Sequence, residues 1–151
     1  YYIMKISVDS THALKGLNLI HQKIADPTPL FKDIAGLLAD ITEDAFQGEY
    51  DPTTGAGWAG LLPATVKARK RKGHTPIKIL QEVGNLASSI VTDFDSTSAQ
   101  IGTNKVYGAA HQFGVDDYSD RSGGLEERPF IGFSPQDAQD IEEMISDYLA
   151  I

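Results

Sequence analysis

Proline and glycine cut this chain into short pieces, and that punctuation limits its fold more than any other feature. The chain has 14 Gly and 7 Pro, and most of them fall between apolar-periodic stretches rather than inside them. The clearest stretch begins at Thr28-Pro29, a cap residue followed by a proline where a missing N–H costs nothing. From there Leu30, Ile34, Leu37, Leu38, Ile41 and Ala45 form one apolar stripe, and Gly48 is the expected stop. A second such stretch opens at Ser134-Pro135 with Asp137 in its first turn; Ala138, Ile141, Ile145 and Leu149 share a face, expected to pack on a sheet. A helix after Ser10, with Leu14, Leu17, Ile20 and Ile24 at near-helical spacing, is weakened by the interior Gly16. Shorter helices are expected over 61–72, from Thr75-Pro76 through Ile77, Ile79, Leu80 and Val83, and as a turn over 107–112.

Strand signals are few. Residues 1–9 alternate, 86–95 place Ile90, Thr92 and Phe94 on one face, and Asp95-Ser96-Thr97 can turn the chain into a return strand with Ala99, Ile101 and Thr103. Residues 128–133 read as a short strand or an extended segment. No internal repeat and no regular βαβ alternation is visible. Three or four helices with three or four strands point to an α+β fold: a small antiparallel sheet packed with three to four helices in a single domain, 1–151. Segments 48–60 and 114–127 are rich in Gly, Asp, Pro or Ser and are expected to be mobile loops.

Composition narrows function by exclusion. A chain of 151 residues with 41% hydrophobic content suits one packed domain. The absence of cysteine removes disulfide scaffolds and thiolate metal sites. Residues 1–9 lack the long apolar centre of a signal peptide, no run approaches a membrane span, and the chain opens without Met, which leaves room for residues upstream. The net charge of −8 argues against a general nucleic-acid binder.

The chemistry-bearing residues do not assemble into a catalytic pattern. His12, His21, His74 and His111 are scattered, with no HExxH; no GxSxG and no phosphate loop is present. No catalytic residue, metal site or cofactor is therefore expected. His111 reads as a residue that pins a turn by hydrogen bonding. Two features remain as candidate partner-binding sites. One is the basic stretch Lys67, Arg69, Lys70, Arg71 and Lys72, which reads either as a solvated helix face complementing the helix dipole or as a contact with DNA or an acidic protein surface. The other is Trp58, the single tryptophan, which reads either as a core residue tying down its loop or as an anchor for a neighbouring subunit. Likewise Arg128-Pro129-Phe130 reads as packing, with Arg128 paired to an acid.

An ordered set of short pieces carries a resemblance. Phe46, Glu49 and Asp51-Pro52 lead through glycines to Trp58; Leu61, Pro63, Thr65 and the basic run follow. Then come Ile79-Leu80, Gly84-Asn85-Leu86, Ser88-Ser89-Ile90, Ile101-Gly102-Thr103, Tyr107, His111-Gln112-Phe113-Gly114 and Arg128-Pro129-Phe130-Ile131-Gly132. In this order, over about the last two-thirds of the chain, the pieces resemble the phage virion morphogenesis family. Gly108, where the family usually has Ala, and Glu127, where it often has a small residue, depart from the pattern. The resemblance implies a non-enzymatic structural protein of a phage or prophage particle, acting in tail completion or head–tail joining. It implies partners among head, neck or tail proteins, self-association, no membrane, and a place in the virion after assembly in the bacterial host cytoplasm. The alternative class is a DNA-binding accessory protein using 67–72.

Overall fold

The computed structural model describes residues 11–116 and 124–150, so the expected strand over 1–9, the cap at Ser10 and positions 117–123 lie outside the described residues. Among the described residues the order is α1 (Thr11–Ala25), α2 (Thr28–Gly48), α3 (Pro63–Arg71), a 3-10 turn (Ala87–Ser89), β1 (Ile90–Phe94), β2 (Ala99–Thr103), α4 (Gly108–Phe113) and α5 (Pro135–Leu149). The architecture among the described residues is α+β, with five α-helices and one two-stranded antiparallel sheet.

Helix α2 is the axis of the molecule. Leu30, Ile34, Ile41, Ala45 and Phe46 of the expected stripe and its flank are buried, against the β1–β2 hairpin on one side and α5 on another. Its start lies one residue earlier than the sequence suggests: Pro27 flanks it and Thr28 opens it. The Asp26 carboxylate accepts from both the Thr28 N–H (3.2 Å) and the Thr28 hydroxyl (2.6 Å), and so fixes the entry turn. At the other end Glu49 adopts a left-handed conformation (φ 58°), and its N–H bonds Ala45 O.

The hairpin forms as expected, with Ile90 opposite Thr103 and Phe94 opposite Ala99. Its turn is set by one side chain, because Asp95 accepts from Thr97 N (2.6 Å), Thr97 Oγ1 (2.7 Å) and Ser98 N (2.8 Å). The strand begins later than 86; Leu86 instead enters the core cluster with Phe46, Trp58 and Phe130.

Two expectations are corrected. No helix follows Thr75-Pro76, a cis peptide. The polar groups of that segment serve the end of α2 instead. Gln81 Nε2 donates to Phe46 O (2.6 Å), Lys78 Nζ donates to Gln47 O (3.0 Å), and the Ile79 N–H donates to the Glu49 carboxylate (2.7 Å). The carbonyls at a helix C-terminus lack partners within the helix, and this segment supplies them. Second, α5 packs chiefly on α2 and α1 rather than on the sheet. Ser134 caps it in a full capping box with Asp137; Ile141 is half-buried and Ile145 exposed. Of the two readings of 128–133, the segment outside any strand is the one found.

Helix α1 forms, and its apolar face is largely uncovered: Leu14, Leu17 and Ile24 are exposed, and only Gly16, Ile20 and Lys23 are half-buried. The helix is fastened at its C-terminal end. Lys23 Nζ donates to Ala150 O (2.7 Å) and sits 5.6 Å from the Tyr148 ring centre, while the Tyr148 hydroxyl is shared between Lys23 O and Asp26 O. Loop 49–58 is closed by backbone bonds from Trp58 N to Glu49 O, Asp51 N to Ala56 O and Gly55 N to Asp51 O, each 2.8 Å.

Candidate functional site

The pieces that carried the resemblance meet in one braced frame. Trp58 is buried (8% exposed). Its ring stands edge-on to Phe46 at 5.8 Å, and its Nε1–H donates to Pro129 O at 2.7 Å. Phe46 in turn meets Phe130 at 5.3 Å. In this chain, then, Trp58 ties its loop to the core. Arg128 is buried as well. It donates from Nε to Ala59 O (3.0 Å) and from Nη2 to Gly60 O (3.3 Å), while Glu126 lies 4.0 Å away. Its main partners are therefore carbonyls rather than the acid expected from sequence.

The least anticipated member is Gln112. Its Oε1 accepts from both Phe130 N (3.0 Å) and Ile131 N (3.1 Å), and its Nε2 donates to Ile131 O (2.8 Å). An extended segment without a ladder leaves such groups unpaired, and one amide side chain offers both the acceptor and the donor they need. The turn at 111–114 is pinned by Gln112 and by the His111 carbonyl, which accepts from Arg128 N (2.7 Å). The His111 ring has a different setting from the one expected. It lies edge-on to Tyr107, and its Nδ1 is buried without a hydrogen-bond partner among the described residues. Burial first, and then the positive charge of Arg128, hold its pKa below the ordinary histidine value. Gly108 sits where a Cβ would come within 2.7 Å of Thr103 Cγ2, so the close packing here suits glycine.

Helix α3 divides its cations between two faces. Lys67, Lys70 and Arg71 stand at i, i+3 and i+4, the spacing that places side chains on one helix face. All are exposed, and among the described residues none of them holds an ion pair. Arg69 and Lys72 point to the 73–82 segment. Arg69, only 12% exposed at its side chain, donates from Nη1 to Lys78 O (2.6 Å), and its Nε lies 3.6 Å from Glu82. Lys72 Nζ meets Glu82 at 3.1 Å, and His74 Nδ1 meets the same carboxylate at 3.2 Å. The Lys72 hydrogen bond, then the charges of Lys72 and Arg69 and the bond from His74, hold the Glu82 carboxyl below its ordinary range. The helix ends at Gly73, whose φ of +76° suits glycine. The basic run is thus three outward cations on a helix clamped by the other two.

Between α3 and the 79–86 segment lies a cleft of about 410 Å³, with Leu61, Thr65, Arg69, Leu86 and His111 in its walls. Among the described residues no carboxylate lies within hydrogen-bond distance of His111, so nothing there orients it as a base. The arrangement is suited to holding loops together and presenting charge.

Comparison with known proteins decides the family. The pattern of the phage virion morphogenesis family matches residues 8–150. This chain belongs to that family. It is 37% identical over 113 residues to "Putative capsid assembly protein G" of Escherichia phage Mu, covering 74% of this chain and 72% of that protein. It is 31% identical over 150 residues to "Mu-like prophage FluMu G protein 2" of Haemophilus influenzae, covering 99% and 98%. A second protein of that bacterium, "Mu-like prophage FluMu G protein 1", is 31% identical over 130 residues. No solved structure matches the chain. Membership makes this a phage morphogenesis protein of a structural family, and the frame of Trp58, Gln112 and Arg128 is built from the residues by which the family was legible.

Proposed function

We propose that this protein acts in tail completion or head–tail joining of a phage or prophage particle. It does so through protein–protein contacts with head, neck or tail proteins and with its own copies. The observation that carries the contact reading is the outward stripe Lys67, Lys70 and Arg71, without an ion pair among the described residues, on a helix held by Arg69 and Lys72. A clamped helix presents its charges in fixed register, which favours specific recognition over loose attraction. The name of the phage Mu relative, a capsid assembly protein, supports a role in building the particle. On this reading the protein is assembled in the host cytoplasm, ends in the virion, and carries out no catalysis.

The test is Lys70→Glu with Arg71→Glu in the intact phage or prophage. These exposed positions leave the core untouched, so the fold and its Trp58 fluorescence should stay as in the parent. Particle completion should fail, leaving heads and tails unjoined or tails of wrong form under the electron microscope. Normal yields of infectious particles would remove the stripe from the contact surface. Titration with duplex DNA at low salt separates the DNA reading: tight, salt-sensitive binding lost in the double variant would favour DNA over protein as the partner.

A further inference from the structure

Charge is segregated along this chain. Residues 61–81 hold six Lys or Arg and no Asp or Glu, while the rest of the chain holds seven against 21 acids. At the other extreme is α5, which carries Asp137, Asp140, Glu142, Glu143 and Asp147 and no Lys or Arg. Asp137 is used in the cap and Asp140 accepts from Gln136. Glu142, Glu143 and Asp147 are exposed and hold no ion pair among the described residues. Helix α2 is a poorer counterpart, since it carries Lys32 beside Asp33 and its Glu43 is occupied by Gln47. Helix α5 packs on α2 and α1, whereas α3 is held by the 73–82 segment, so the two charged helices belong to different parts of the molecule.

From this we infer that the partner of the α3 stripe is α5 of a second copy of this chain. The inference rests on the contact reading above and adds the identity of the partner. The spacings agree: Lys67 to Arg71 and Glu143 to Asp147 each span four residues, about 6 Å along a helix. Two copies meeting α3 to α5 use two different patches. Made once, the contact leaves a free α3 at one end and a free α5 at the other, so it adds copies until a ring closes or a filament grows; made twice about a two-fold axis, it closes as a dimer. The chain's overall negative charge opposes random association, and the one positive face then directs which orientation forms.

Charge exchange tests this on the purified whole chain by sedimentation velocity. The parent should associate at low salt, and about 0.5 M salt should weaken that association, as screening of charge pairs requires. Lys70→Glu/Arg71→Glu alone, and Glu142→Lys/Glu143→Lys alone, should each weaken it by about tenfold or more while keeping the parent's circular dichroism. Mixing the two variants should restore association, because each then offers what the other lacks. The chain carrying all four changes should self-associate again. A parent that stays monomeric at the highest soluble concentration would overturn the inference, as would a mixture that fails to recover or an unaffected α5 variant. If the α3 variant blocks particle completion while the parent remains monomeric, the contact reading survives and only the second copy as partner falls.

Discussion

Gln112→Ala is the sharpest test of the frame. The substitution removes three hydrogen bonds: two that Oε1 accepts from Phe130 N and Ile131 N, and one that Nε2 donates to Ile131 O. The Phe130 side chain is 1% exposed, so its backbone N–H is poorly placed to find water. Leaving one such donor unpaired costs about 1–3 kcal/mol. The Ile131 groups are half-buried, and each loses about 0.5–1.5 kcal/mol of ordinary hydrogen-bond worth, less where water replaces the amide. Together the loss should be about 2–4 kcal/mol, a large part of the ~5–15 kcal/mol that holds a domain folded. Urea unfolding followed by Trp58 fluorescence reads it directly. Trp58 is the single tryptophan, and its indole bonds Pro129 O beside the affected segment. With a urea slope of about 1–3 kcal/mol per molar, the midpoint should fall by roughly 1–2 M at unchanged slope. Gln112→Met keeps the volume without the bonds, so it should lose nearly as much as Ala. A loss below ~0.5 kcal/mol in either variant would refute the claim that this amide holds the 130–131 segment.

The pH dependence of stability should carry a His111 signature. Its folded pKa lies below the ordinary value of 6.5, so the unfolded chain binds the proton first; the contribution is full above about 6.5 and is lost as pH falls through the folded value. His111→Gln should flatten the stability curve in that acid limb, and an unchanged slope there would contradict the burial argument. Hydrogen exchange should divide loop 49–58. The Gly55 and Trp58 amides, which donate within it, should exchange more slowly than the Thr54 amide, and uniform fast exchange would show that the closing bonds do not persist.

What the sequence showed and what it hid follow one physical line. Helix α2, α5 with its Ser134–Asp137 box, and the hairpin turning on Asp95 were legible because their signals lie within a few residues of each other. Residues 76–83 have helical spacing too, yet their backbone and side chains bond Phe46, Gln47 and Glu49 about thirty residues earlier. No local pattern announces that. The outward and inward cations of α3 could be assigned to faces by spacing. Which face is clamped depended on Glu82 and Lys78, beyond the glycine that ends the helix. Gln112 was quoted as part of a motif but not as a brace, because nothing at its own position reveals an extended segment that lacks a ladder. The α1 stripe was legible as helical spacing, but apolar periodicity reports amphipathicity and not what covers the apolar side.

The bracing of α3 bears on what its free cations can do. Exposed ion pairs contribute little to stability, so the value of Lys72 meeting Glu82 lies more in orientation than in energy. Arg69 is different: it is mostly buried and bonded to the Lys78 carbonyl, which fixes the helix against the 73–82 segment. A partner that meets Lys67, Lys70 and Arg71 therefore orders three side chains but no backbone, at about 0.5–1.5 kcal/mol for each side chain immobilised. Charge at such a rim sets encounter rate and register more than affinity. Affinity needs apolar area, and it stands close by: Leu62 before α3 and Val83 across the cleft are both well exposed. A contact that covers them along with the stripe joins electrostatic register to apolar burial. High salt should then speed its dissociation less than it slows its formation, because the apolar part is not screened.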